Sequence, residues 1–347
     1  MSLPDESEAA YRANDSGGGA PRRFAPEEMV ACDECSRTNP PTRTNCLYCG
    51  AQLPATGFAA EHLRPALRRL EEWEAGHNVI LEAGSGRGLS TEAVAESAAL
   101  LRLEPERLSA LLGAGVPLPL ARAASAEEAA LIVGRLGGLG LKLFVVGDAE
   151  LGVAEPPPRA RSFELTDAGL SARTGLWGEG VELAWSEVAL LVLGRLVSRR
   201  VEVEERQSRF GSRGELVEAR ETAADEAVLD LYPRAGGAGL RVLAGGFDYS
   251  CLGAGKGLLA GENFAALVRL LRRLAPAAEF DDGYGRVRHL LSVAWPATER
   301  TESGGLRRER PGRFNTEAVT LVSNESQFTR YSRLRLHISQ RGWAPPT

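Results

Sequence analysis

Two Cys-x-x-Cys pairs, Cys32-x2-Cys35 and Cys46-x2-Cys49, stand ten residues apart and constrain this chain more than any other feature. Each pair sets two sulfurs on one tight turn, and four thiolates complete a tetrahedron around an ion about 2.3 Å away. Four thiolates leave no position for water or substrate, so the spacing predicts a structural zinc site rather than a catalytic one. Such binding contributes on the order of 10 kcal/mol, enough to fold a knuckle that has no apolar core of its own. Gly50 follows the second pair, where the turn takes a left-handed residue. The fifth cysteine, Cys251, stands alone in an apolar stretch, and this distribution is not a secreted disulfide framework.

The spacing is similar to that of the Ran-binding-protein type of zinc finger, and Asn39 falls at the family's position between the pairs. That family binds single-stranded RNA or ubiquitin. Its tryptophan before the first cysteine is replaced here by Val30-Ala31, and Tyr48 is the only aromatic in the loop. Neither binding surface is matched, so residues 29–54 are read as a generic bacterial zinc ribbon.

The 347 residues suffice for several domains, with 44% hydrophobic and 25% charged residues, as in an average globular protein. No apolar run reaches the eighteen residues a membrane span needs. Met1 to Ala20 is acidic and Gly-rich with no apolar core after a basic start, which predicts no secretory signal and a cytoplasmic protein. Only Lys142 and Lys256 among the 41 basic residues are lysines, the coding bias of a GC-rich bacterial genome. The net charge of −5 divides into −11 before residue 286 and +6 from Arg286 onward. A basic tail of this kind can bind nucleic acid or phospholipid, although solvated arginines explain it as well.

The expected architecture is multidomain α+β. Residues 1–28 read as disordered, 29–54 as the ribbon, and 55–76 as a linker carrying the helix His62–Glu74. A small α/β sandwich of order βααβαβ spans 77–152, its helices opened by Ser90 or Thr91, Pro105 and Ser125. The carrying stretches, Asn78–Glu82, Ser125–Ala129 and Leu136 to Lys142, resemble the C-terminal domain of the bacterial ribosomal stalk protein, a fold shared with the Clp protease adaptor. That resemblance implies a small protein-binding module. The stalk domain's basic docking helix is not matched, because Ser90–Leu101 carries Glu92 and Glu96 and no lysine.

A Pro-rich linker, 153–160, precedes a β domain at 161–276 with about seven short strands and an amphipathic helix from Asn263 to Leu274. This order resembles the pleckstrin-homology fold, in which a C-terminal helix plugs a bent barrel. Residues 277–347 read as a helix at Tyr284–Ala294, a strand at Ala318–Ser323 and a basic tail. Gln327–Arg335 alternates apolar residues with arginines and is read as an edge strand that buries Phe328 and Leu334 with its arginines in water.

Three further motifs invite chemistry. Val79–Ser90 ends a strand in acidic-x-Gly-x-Gly-x-Gly, and Glu104 follows twenty residues after Gly84. Methyltransferases of the Rossmann type bind S-adenosylmethionine with such a loop at a helix N-terminus. The run Gly253-Ala254-Gly255-Lys256-Gly257 lacks the first glycine and the terminal Ser/Thr of a P-loop and reads as a plain loop. Asp281, Asp282 and His289 are read as an acidic helix start and a lone histidine, and no nucleophile–base pair can be assembled. No catalytic residue is therefore assigned. The favoured reading is a non-catalytic, zinc-binding interaction or regulatory protein with protein partners. The alternatives are a methyltransferase-like enzyme centred on Gly84, Gly86, Gly88 and Glu104, and a nucleic-acid or ribosome-associated factor.

Overall fold

The computed structural model describes residues 29–40, 46–51, 53, 70, 71, 74–86, 88–175, 180–207, 215–310 and 313–341. The disorder expected of 1–28 and most of the 55–76 linker lie outside these. The chain forms two compact units, Met1–Ala66 and Leu67–Thr347. In the first, β1 (Val30–Ala31) and β2 (Thr38–Asn39) pair antiparallel around the first cysteine turn.

The second unit begins with the predicted βααβαβ order: β3 (His77–Leu81), α1 (Thr91–Leu101), α2 (Pro105–Gly113), β4 (Leu118–Ala123), α3 (Ala126–Gly138) and β5 (Leu143–Gly147). The start signals act as expected. The Ser90 hydroxyl accepts from the Ala93 N–H and the Ser125 hydroxyl from the Glu128 N–H, both at 3.2 Å, and Pro105 opens α2. The sheet order is β4-β3-β5, and β3 pairs antiparallel with both neighbours. Asp148 follows β5 and opens a short turn, α4 (Asp148–Leu151).

The rest is built around β9 (Val188–Gln207), which pairs antiparallel with β10 (Glu215–Pro233) over almost its full length. Leu190 and Val192 face one core, shared with the α/β module, while Leu191, Leu229 and Leu231 face a second. The second core is covered by α5 (Ala260–Leu274), whose Phe264, Leu267, Val268 and Leu271 are buried, and by a separate sheet of β6 (Ser162–Leu165), β7 (Gly169–Arg173) and β8 (Gly180–Ala184). On the other edge of β10 lies β11 (Leu240–Leu243).

The opposite edge of β9 is divided. β12 (Glu279–Asp281) pairs with Leu190–Val192 in parallel, and β14 (Arg313–Ser323) with Ser198–Gln207 antiparallel. The Asn324 side chain fills the gap between them, accepting from the Val197 N–H at 2.7 Å and donating to the Arg195 carbonyl at 3.0 Å. One amide thus replaces a missing strand, as buried backbone groups require. α6 (Tyr284–Leu291) and β13 (Thr298–Arg310), which pairs with β14, complete the path before α7 (Glu325–Gln340).

Three expectations are corrected. No sheet closes into a barrel among the described residues, because β6–β8 form their own sheet beside an open one. The separate strands expected at Ala189–Leu193 and Val201–Glu205 are one 20-residue strand. The stiff Pro-rich segment 153–160 is held in place: the Pro158 carbonyl accepts from the Arg241 N–H at 2.9 Å, and the Ala160 N–H donates to the Arg241 carbonyl at 2.8 Å.

The third correction is the largest. Gln327–Arg335 is part of helix α7, with Phe328, Tyr331, Leu334 and Ile338 in the core. Its arginines do not stay in water. Arg330 and Arg333 are buried, and their partners lie on distant elements. Close approach of α7 to β9 depends on Gly194, where a Cβ would come within 2.3 Å of the Phe328 ring.

Candidate metal centre

The two cysteine turns repeat one geometry. The Cys32 N–H donates to the Arg37 carbonyl at 3.0 Å, and the Cys46 N–H to the Ala51 carbonyl at 2.8 Å. Ser36 and Gly50, each directly after the second cysteine of its pair, are both left-handed, with φ of 56° and 75°. Gly50 takes this conformation without strain, as the sequence predicts, whereas Ser36 pays a Cβ cost.

Asn39 ties the turns together. Fully buried, it accepts from the Leu47 N–H at 2.9 Å and donates to the Arg37 carbonyl at 2.9 Å and the Cys46 sulfur at 3.5 Å. The residue singled out by finger spacing therefore locks one knuckle against the other.

All four sulfurs lie within 4.8 Å of one another. Sγ of Cys32 is 3.6 Å from that of Cys49, and Sγ of Cys35 is 3.6 Å from that of Cys46. A disulfide needs about 2.05 Å. A tetrahedron of sulfurs about 2.3 Å from an ion has edges of about 3.8 Å. The spacing thus fits a shared metal ion and excludes a bonded pair. Cys32, Cys46 and Leu53 are the buried members of this unit's apolar cluster, so the sulfurs themselves occupy its centre.

Electrostatics agree. Burial raises the Cys46 thiol, but the Tyr48 and Cys49 N–H groups and the Asn39 amide outweigh it and bring it down to about 6. The Ala51 N–H lowers Cys49, yet burial and the three neighbouring thiols push it up to about 12. Four thiolates cannot share this space without a cation to offset their repulsion.

The other sequence candidates do not form sites. Both neighbours of β3 run antiparallel, so the Gly84–Gly86–Gly88 loop does not sit in the parallel sheet a Rossmann-type nucleotide site requires. Gly86 is needed for packing instead, since a Cβ there would meet Leu112 at 2.7 Å. Glu104 is the N-cap residue of α2. In the Gly253–Gly257 loop, the Gly257 N–H is taken by Asn263 at 2.6 Å. Asp281 accepts from the Tyr331 hydroxyl at 2.8 Å and pairs with Arg335 at 2.7 Å, while Asp282 pairs with Arg286. The arginines of 327–335 turn to Asp148, to the Gly237 and Glu155 carbonyls, and to Glu279 and Asp281, which withdraws them from a phosphate-binding surface.

One cluster was not found in the sequence. Asp148 is 5% exposed and accepts from the Gly76 N–H, the Asn78 amide, Arg122 and Arg330. From it a chain of hydrogen bonds runs from Asn78 to Trp295, Gln327, Tyr284 and Asn324, joining the α/β module to β9. A second buried pair, Asp230 with Arg241, is bidentate at 2.8 Å and 2.8 Å. These partners are far apart in sequence, and no short motif announces them.

No protein-family model, curated protein or solved structure matches this chain. Among the described residues, no helix is long and apolar enough to cross a membrane.

Proposed function

We propose that the chain is a non-catalytic, zinc-binding interaction protein whose Cys32, Cys35, Cys46 and Cys49 hold a structural Zn2+ and whose ribbon meets a protein partner. The four converging sulfurs carry the metal part of this reading. The partner part is supported by Leu47 and Tyr48, which lie between the last two ligands and are 54% and 56% exposed. Arg37 stacks on Tyr48 with its guanidinium carbon 4.7 Å from the ring centroid, holding the aromatic at the surface. Exposed apolar side chains fixed by a rigid turn suit a docking tip, because little conformational freedom is lost on binding.

The likeness to the stalk-protein C-terminal domain remains our reading of 77–152, supported by its element order and antiparallel pairing.

The test combines metal analysis with capture from lysate. Purified protein should carry one zinc per chain, and nuclease-resistant protein partners should be lost on Leu47→Ser/Tyr48→Ser while zinc stays bound. Absence of zinc overturns the metal assignment. Partners unchanged by the double substitution overturn the ribbon as the contact.

A further inference from the structure

Past Leu196 the central sheet outruns both cores. Ser198–Gln207 of β9 pairs with β10 on one side and β14 on the other, and β13 lies outside β14, so four strands continue together for ten residues. No described residue of Ser198–Gln207, or of the stretches registered with it, belongs to either apolar cluster. Among the described residues this arm is a single layer of sheet.

Its two faces differ. Arg200, Val201, Glu202 and Val203 alternate charge with valine, and successive side chains go to opposite faces. Across the strands Val201 lies beside Thr320, Val203 beside Ala318, and Arg199 between Ala223 and Val322. Val201, Val203, Ala318, Thr320 and Val322 therefore share one face and are half-buried, with Ala223 exposed at its margin. The other face carries Arg200, Glu202, Arg220 and Arg300 around Val319 and Leu321. One apolar and one charged face is the pattern of a sheet that packs on a second layer.

Charge and area say what that layer is. On the apolar face Arg199 pairs with Glu221 at 3.3 Å and Arg195 with Asp225 at 2.8 Å, which leaves Glu299, at the base of β13, as the remaining charge described there. A copy of the same face meets it without a field of like charge, whereas a strongly basic or acidic partner finds little to match. Ten residues at about 3.4 Å each and four strands about 4.8 Å apart make a face of roughly 650 Å². Two such faces in contact remove about 1,300 Å² from water, within the roughly 1,200–2,000 Å² of a stable association.

We propose that this face packs against the same face of a second copy, sheet on sheet, in a two-fold dimer. Such an interface is self-complementary, and two-fold dimers are the commonest closed assembly. Short valine, alanine and threonine side chains suit two sheets stacked about 10 Å apart. The face belongs to the Leu67–Thr347 unit, so the proposal does not depend on the metal.

Sedimentation equilibrium of the full chain tests it. Wild type should show a mass of twice 37.1 kDa at micromolar concentration. Val201→Lys, beside Glu221, and Ala223→Glu, at an exposed site beside Arg199, should each weaken the dimer at least tenfold. Both should keep the circular dichroism of the wild type, because neither residue belongs to a core. Leu321→Glu, on the opposite face beside Arg200, should leave the mass unchanged. A wild-type monomer at submillimolar concentration overturns the proposal and leaves the face to another segment of the chain or another protein. A dimer that persists in both face variants, or that Leu321→Glu dissolves equally, also overturns it, since the contact then lies elsewhere on the molecule.

Discussion

Arg330 and Asp148, 182 residues apart in the chain, form an ion pair in the interior with both side chains less than a tenth exposed. Arg122 completes the group from β4, at 2.5 Å from the same carboxylate. Breaking such a pair leaves a buried charge uncompensated, at about 3–5 kcal/mol, although the intact pair adds little net stability. Asp148→Asn and Arg330→Met should each lower the urea-unfolding free energy by about that amount. A loss under 1 kcal/mol for both would mean that water reaches the cluster.

The same carboxylate predicts an acid dependence. Burial alone would raise Asp148, but the Arg330 charge, with Asn78 and Arg122, outweighs it and holds the group below the usual carboxylate range. A depressed folded-state value stabilises the fold above the unfolded value of about 3.9, and this contribution fades as pH falls through the folded value. The stability gap between wild type and Asp148→Asn should therefore be full at pH 7 and shrink below about pH 4. A gap independent of pH down to acid unfolding would contradict this sign.

Zinc binding should depend on acid in the same direction. Cys49, raised to about 12, is protonated at neutral pH and must release its proton to become a ligand. Uptake of zinc by chelator-stripped protein at pH 7 should acidify a weakly buffered solution, and affinity should fall as pH is lowered. Cys46→Ser should abolish stoichiometric binding while the Leu67–Thr347 unit keeps its melting transition. Zinc uptake without proton release would argue against a four-thiolate centre.

Two glycines should respond to alanine with opposite signs. At Gly194 the new methyl meets the Phe328 ring, so Gly194→Ala should cost about 1–3 kcal/mol through displacement of α7. Gly134 is exposed inside α3 with nothing within 4 Å of a Cβ, so Gly134→Ala should stabilise by about 0.5–1 kcal/mol. Chemical denaturation of both variants decides it. A neutral Gly194→Ala would show that α7 is not held as tightly as its packing indicates.

Gly86→Val separates packing from ligand binding. Contact with Leu112 predicts a destabilised protein. Wild type should give no saturable signal with S-adenosylmethionine, because β3 lacks the parallel neighbours of a methyltransferase sheet. A stable Gly86→Val protein that loses measurable S-adenosylmethionine binding would restore the enzyme reading.

The sequence was most legible where structure depends on near neighbours. Ser90, Pro105 and Ser125 mark their helices correctly, and the cysteine spacing locates four sulfurs that converge. It was least legible where partners are distant. β9 reads as two strands because the polar run Ser198-Arg199-Arg200 interrupts its apolar pattern before Val201 and Val203, and no residue of β9 past Leu196 belongs to either core among the described residues. Helix α7 reads as a strand because Gln327, Thr329, Arg330, Ser332 and Arg333 are buried with partners elsewhere. A polar residue facing inward carries no periodic signal until its partner is known.

Placing the closing helix at Glu325–Gln340 has a consequence during synthesis. The strands and helices of 77–147 leave the ribosome long before α7 exists, with Asp148 made and Arg330 still to come. The early module must wait with part of its interior open and a carboxylate short of a partner. Its core is completed only when the segment that seals it has been made. A ribosome stalled before residue 325 would hold an incomplete core rather than a finished domain.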